Sequence, residues 1–174
     1  FVESLKDDAG FLIKDKTAIV LGAGGAGRAV SVMLAENESK KIIIADIDTK
    51  KAEGLADYIK SKLSKEAIAI NPKEVRAFIN EAGLMVNSSP IGMHPKIENS
   101  PIDDDVEIPS SILVYDLVYN PYETKLIRRA KLSGAKTCSG LGMLIRQGAL
   151  AFSIFTDSEA PLEIMWDAAK KALH

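Results

Sequence analysis

The glycines of LGAGGAGRA, Leu21 to Ala29, restrict what this chain can become more than any other stretch. Gly22, Gly24 and Gly27 have the spacing G-x-G-x-x-G. Ahead of them Lys16–Leu21 reads as a buried strand, and behind them Gly25–Glu36 reads as a helix with small residues on its inner side. A second apolar strand, Lys41–Ala45, runs into Asp46, nineteen residues after Gly27. Each piece has a physical task. The first glycine permits a tight turn, the second lets a pyrophosphate approach the backbone, and the third lets helix and strand pack closely. The helix start presents unpaired N–H groups and its positive dipole end to phosphates. A carboxylate at the end of the second strand can accept hydrogen bonds from ribose hydroxyls. The stretch therefore predicts a dinucleotide site built from Gly22, Ala23, Gly24, Gly25, Ala26, Gly27, Asp46 and Ile47.

The same alternation continues along the chain. Val2–Ala9 is a short amphipathic helix ahead of the first strand. Thr49 stands where a cap would open a helix over Lys50–Lys62, with Ala52, Leu55, Ala56, Ile59 and Leu63 at helical spacing. Glu66–Ile70 is a short strand. Asn71-Pro72 opens a helix reaching Glu81, asparagine as cap and proline in its first position. Leu84–Asn87 is the fourth strand. Ser88–Ser111 then carries four prolines and the acids Asp103, Asp104 and Asp105. A loop of that length is functional or mobile, and the acid run is expected to be solvated surface rather than a metal site. Ile112–Val118 is a fifth strand, Glu123–Leu132 a helix and Ala135–Cys138 a sixth strand. Leu141–Thr156 is a long helix, apolar almost all round except Arg146 and Gln147, and Pro161 starts the last helix, to Leu173.

Strands alternating with helices give an α/β fold with parallel pairing and right-handed crossovers. The expected architecture is a Rossmann-type doubly wound sheet of six strands, ordered 3-2-1-4-5-6, with helices on both faces. Ligand belongs at the carboxyl ends of strands one and four, where the order reverses. That edge gathers Gly22–Gly27, Asp46, Asn87-Ser88-Ser89, Val118-Tyr119 and Ser139-Gly140. Asn87, Ser88 and Ser89 are expected to hold the riboses.

Composition excludes several classes. A length of 174 residues with 47% hydrophobic and 26% charged side chains suits one folded domain. A net charge of −2 gives no electrostatic reason for a nucleic acid or an anionic membrane as partner. No apolar run reaches about 18 residues, so no membrane span is expected. A single cysteine, Cys138, cannot form an internal disulfide and fits a reducing cytoplasm. It is read as a buried thiol at a strand end. His94, beside Pro95, is expected to be exposed, and with His174 it is one of two histidines. No Cys, His and acid cluster has ligand spacing, so no metal is expected.

Five stretches together resemble the nucleotide-binding domain of the shikimate/quinate dehydrogenase family. They are Phe1-Val2-Glu3-Ser4-Leu5, LGAGGAGRA, NSSPIGM from Asn87, YDLVYNPYETKL from Tyr115, and GLGMLIRQGALAF from Gly140. The resemblance implies reversible oxidation of a ring hydroxyl on shikimate or quinate, with hydride passing to a nicotinamide. It implies that Gln147 and Tyr119 touch substrate and that Gly140 and Met143 line the nicotinamide pocket, and Val118, on the same edge, is expected to bind cofactor. In that family the catalytic Lys and Asp lie in an amino-terminal substrate domain, the Asp in a segment that ends just before a stretch like Phe1–Leu5. The chain, which starts at Phe1 rather than Met, is therefore expected to be the carboxyl-terminal part of a longer two-domain enzyme and inactive alone. The Val2–Ala9 and Leu141–Phe155 helices are then expected to expose apolar faces that the missing part covers, or that self-association hides.

NADP-using members of the family carry an Asn-Arg-Thr-like stretch after the second strand, where this chain has Asp46-Ile47-Asp48. A carboxylate there would repel a 2′-phosphate and suits a free ribose diol, so NAD is expected over NADP. Lys50 and Lys51, one turn on, are the cations that could reverse that preference. A stand-alone dinucleotide-binding or sensing module is the other reading of the same features. Methyl transfer with S-adenosylmethionine is disfavoured because Val20-Leu21, not an acid, precede the first glycine.

Overall fold

The computed structural model describes residues 1–173, so His174 lies outside the described residues. The six strands are β1 (Thr17–Leu21), β2 (Lys41–Ala45), β3 (Glu66–Ile70), β4 (Leu84–Asn87), β5 (Leu113–Asp116) and β6 (Lys136–Ser139). All neighbours pair parallel, in the order β3-β2-β1-β4-β5-β6. The expected doubly wound sheet is therefore the observed one. Helices α1 (Val2–Ala9), α2 (Gly25–Glu36), α3 (Thr49–Leu63), α4 (Val75–Phe78), α5 (Lys125–Leu132), α6 (Leu141–Thr156) and α7 (Leu162–Leu173) complete the chain.

Successive strand residues point to opposite faces, and each face builds its own core. Ala18, Val20, Ile42, Ile44, Leu84 and Val86 pack with Val30 and Leu34 of α2 and Leu55 and Ile59 of α3. Ile19, Leu21, Ile43, Met85 and Val114 pack with Val75, Ile79, Leu126 and Ile127 on the other side. Strands buried on both faces read as unbroken apolar runs, which is why Ile42–Ile44 shows no alternation.

Several boundaries move for identifiable reasons. The cap of α3 is Asp48, which accepts the Lys51 N–H at 3.4 Å, and Thr49 is already helical. Residues 72–81 form one α-turn between two 3-10 turns, although the Asn71/Glu74 capping box is present. β5 stops at Asp116 because its pairing partners end there, at Asn87 on one side and Ser139 on the other. Thr124 opens α5 by accepting the Ile127 N–H at 3.2 Å.

The long loop is packed rather than loose. Its Ile102, Val106 and Ile108 are buried in the second core. Arg129 straps it to α5, donating to Ser100 Oγ and to the carbonyls of Ile102, Asp103, Asp104 and Val106 at 2.7–3.3 Å. Two of the three acids in the run are also paired, Asp104 with Lys125 at 2.8 Å and Asp105 with Arg76. The run is thus more than solvated surface.

α1 departs from expectation in the same direction. Its Leu5 is fully buried in the first core, and the Phe1 ring meets Tyr115 edge-on at 5.3 Å. Arg146 of α6 grips Asp8 with two bonds of 2.7 and 2.8 Å, and Ser4 Oγ links Asp8 to the Tyr115 hydroxyl. The apolar side of α1 is therefore covered within this chain. α6 instead leaves Leu150, Ile154 and Phe155 65%, 71% and 87% exposed, as expected for it.

Removing the Arg129 guanidinium leaves several loop carbonyls without donors, at a cost of about 2–3 kcal/mol. Arg129→Ala is expected to lower unfolding stability in urea by that amount and to open residues 98–106 to limited proteolysis. Unchanged stability and an unchanged cleavage pattern would show that Arg129 is not what holds the loop.

Candidate nucleotide-binding site

The glycine turn sits where β1 feeds α2. Gly22 has φ of +108°, a conformation that side chains rarely adopt. A β-carbon on Gly27 would lie 2.0 Å from the Gly22 carbonyl oxygen, so this glycine is what lets α2 close on the strand. At Gly24 a β-carbon would meet nothing within 4 Å. Gly24 is also the cap of α2, with no side-chain hydrogen bond there and no acid in the first turn. A helix start left in that state has free N–H donors and suits an anion.

Two clefts continue from this loop along the carboxyl edge. The first, about 190 Å³, is lined by Gly22, Asp46, Ile47, Pro72, Ser89 and Pro90 among others. The second, about 470 Å³, shares Ser89 and Pro90 and extends past Met93 and His94 to Val118, Tyr119 and Asn120. They meet at the β1/β4 reversal, where a doubly wound sheet binds ligands. Ile47 stands 84% exposed at the outer end.

Not every expected residue faces this crevice. Asn87 is fully buried and its amide is directed inward. Its Nδ2 donates to the Ile91 carbonyl and to Asp116 Oδ1, while its Oδ1 accepts from the Ser89 N–H and hydroxyl. Ser88 Oγ donates to the carbonyls of Leu21 and Gly22 at 2.9 and 3.0 Å, tying β4 to the glycine turn. Asn87 lies beneath the crevice and lines neither cleft, whereas Ser88 and Ser89 both line the second one, Ser88 with its hydroxyl engaged by the glycine turn. Gly140 is buried, and a β-carbon there would lie 2.1 Å from the Leu117 carbonyl. Its missing side chain serves the packing of α6 on the end of β5. Met143 is half-buried and Gln147 exposed on α6, and neither borders the two clefts.

Asp116 is a residue that the sequence does not single out. It is fully buried, accepting from Asn87 Nδ2 at 2.8 Å, Thr124 Oγ1 at 2.7 Å and the Val118 N–H at 3.0 Å. Burial outweighs these donors and raises its carboxyl to about 6. An acid inside the apolar run ILVYDLV is the available signal. Cys138 is half-buried, and burial pushes its thiol up to about 11, which keeps it protonated and unreactive at neutral pH. Among the described residues no group of His, Cys, Asp and Glu gathers as a metal site, and no helix is long and apolar enough to cross a membrane.

This sheet order, glycine turn and edge crevice place the chain in the class of doubly wound dinucleotide-binding domains. The family model described as shikimate / quinate 5-dehydrogenase matches residues 5–120, and one described as shikimate 5'-dehydrogenase C-terminal domain matches residues 140–170. The chain belongs to the shikimate/quinate 5-dehydrogenase family. It is 38% identical to a shikimate dehydrogenase (NADP(+)) of Methanopyrus kandleri, over 99% of this chain and 60% of that protein. A crystal structure of a shikimate dehydrogenase in complex with NADP+ superposes with a TM-score of 0.87 at 38% identity, over 99% of this chain and 60% of the other. The Thermus thermophilus enzyme in complex with NADP(H) and shikimate gives 0.81 at 33% identity, over 99% and 60%. The chain thus spans about 60% of the length of these relatives.

These names correct the expectation of NAD over NADP, since the relatives are NADP(+) enzymes and NADP-bound structures. That expectation requires an Asp46 carboxylate free to face a ribose. Both its oxygens accept main-chain N–H groups, Oδ2 from Ala23 at 2.6 Å and Oδ1 from Asp48 at 2.8 Å.

The raised carboxyl of Asp116 has a consequence for stability. Between its ordinary value of 3.8 and about 6, the folded chain holds a proton that the unfolded chain has released. Stability is therefore expected to fall as pH rises across that window, by about 3 kcal/mol from this group. Asp116→Asn is expected to remove that slope in urea unfolding measured from pH 4 to 7. Parallel profiles for the two proteins would rule the assignment out.

Proposed function

We propose that this chain holds NADP for a shikimate dehydrogenase that interconverts a ring hydroxyl and a ketone. The observation that carries the reading is the open space over Gly24, at an uncapped helix start, leading into a crevice that ends at Tyr119. The first-turn N–H groups of α2 receive the pyrophosphate. The exposed Ile47 and the cleft beside Pro72 take the adenosine end, and Lys50 and Lys51 are the cations available to its 2′-phosphate. The nicotinamide end lies toward Val118, with Gly140 and Met143 beyond it. When bound, the nicotinamide accepts or returns the hydride. Tyr119, 41% exposed at the cleft, and Gln147, exposed on α6, orient the substrate hydroxyls from this side.

The residues that move the proton are, by family resemblance, a Lys and an Asp outside this chain, within the part of the relatives' length that it does not match. The exposed Leu150, Ile154 and Phe155 of α6 and Ile164 of α7 are the apolar side chains against which that part would pack. A stand-alone sensing module is the weaker reading, because the match to dehydrogenases runs through the substrate-side motifs as well as the glycine turn.

Calorimetric titration with NADP+ tests the proposal. The wild-type chain is expected to bind. Gly24→Val fills the open space and is expected to weaken binding at least about tenfold with little change in melting temperature. Gly27→Ala is expected to melt several degrees lower, because its methyl group meets the Gly22 carbonyl. A wild-type chain that binds no NADP+, or a Gly24→Val variant that binds like wild type, would remove the site from the glycine turn.

A further inference from the structure

The glycine turn is held at its root from both flanks and open at its tip. On the β4 side Ser88 Oγ donates to the Leu21 and Gly22 carbonyls, and the Ser88 N–H also reaches the Leu21 carbonyl at 2.9 Å. On the β2 side the Gly22 N–H donates to the Ala45 carbonyl at 2.7 Å. One residue further, the Ala23 N–H meets Asp46 Oδ2 at 2.6 Å. So short a contact is characteristic of a charge-assisted bond. The other oxygen, Oδ1, is fixed by the Asp48 N–H at 2.8 Å, so the carboxylate orientation is set within its own β2–α3 connection. Gly24 and Gly25 beyond it are exposed, and a β-carbon on either would meet nothing within 4 Å.

We propose that Asp46 is a positioning residue that pins the glycine turn before ligand arrives, instead of a reader of the adenosine ribose. The inference rests on the dinucleotide site proposed above. The bond to the Ala23 N–H fixes the Gly22–Ala23 peptide, the point from which the peptides facing the pyrophosphate continue. Pyrophosphate is common to NAD and NADP, so a pin serves both alike, whereas a ribose reader distinguishes them. The acid at the end of β2 is then compatible with relatives that use NADP, because its carboxylate is directed at main-chain donors.

Two measurements on the whole chain separate the roles. The first is amide hydrogen exchange at Ala23 without ligand, which needs no nucleotide. The second is calorimetric affinity for NADP+ and for NAD+. In Asp46→Ala the Ala23 amide is expected to exchange about tenfold faster or more, and both nucleotides to weaken by a similar factor of about ten. Asp46→Asn keeps one acceptor oxygen and is expected to fall between wild type and alanine on both readouts. Unchanged exchange at Ala23 in both variants would overturn the proposal. So would tighter NADP+ binding with weaker NAD+ binding in Asp46→Ala, the signature of a ribose reader. If the wild-type chain binds neither nucleotide, the dinucleotide reading fails, and the exchange rate at Ala23 still decides whether Asp46 pins the turn.

Discussion

Everything at the carboxyl edge depends on the approach of α2 to the Gly22 carbonyl oxygen. Any side chain on residue 27 would occupy the space of that oxygen. Because none does, the helix start can lie against the end of β1 with its amides turned toward the crevice. The turn itself is fastened by β2 and β4, the strands on either side of β1. A loop that must present bare backbone to a ligand is therefore stiffened from its neighbours, not from within.

The floor of the crevice follows the same logic one layer down. Asp116 gathers a donor from β4, one from its own strand end and one from the start of α5. Asn87 passes the constraint on to Ser89 and Ile91. Buried polar groups of this kind are costly unless every one is paired, and here they are paired with each other. The result is a rigid polar base under loops that carry no regular structure.

The sheet was legible because each strand is a short apolar run bounded by a turn signal and followed by a helical stripe. Strand order came from the glycine turn, which only makes sense at the first strand of a doubly wound sheet. What could not be read were side-chain directions at the crevice. Asn87, Ser88 and Ser89 are polar residues in a row at a strand end, and sequence does not say that the Asn87 amide turns inward or that the Ser88 hydroxyl is tied to the glycine turn. Asp46 has the position of a ribose reader, yet its hydrogen bonds are to main-chain amides that no pattern reveals. Asp116 was hidden inside a run otherwise suited to a buried strand. The order of the loop over residues 88–111 is not legible because it comes from Arg129, from ion pairs with Arg76 and Lys125, and from three scattered apolar side chains. Such long-range pairings leave no local trace.

The uncovered side of α6 and α7 bears on how the chain's own stability should be understood. Leu150, Ile154 and Phe155 are presented together only while α6 is folded, so a partner that covered them would select the folded chain. With such a partner, folding and association would be linked equilibria, and resistance to unfolding would depend on concentration as well as on the chain's own core.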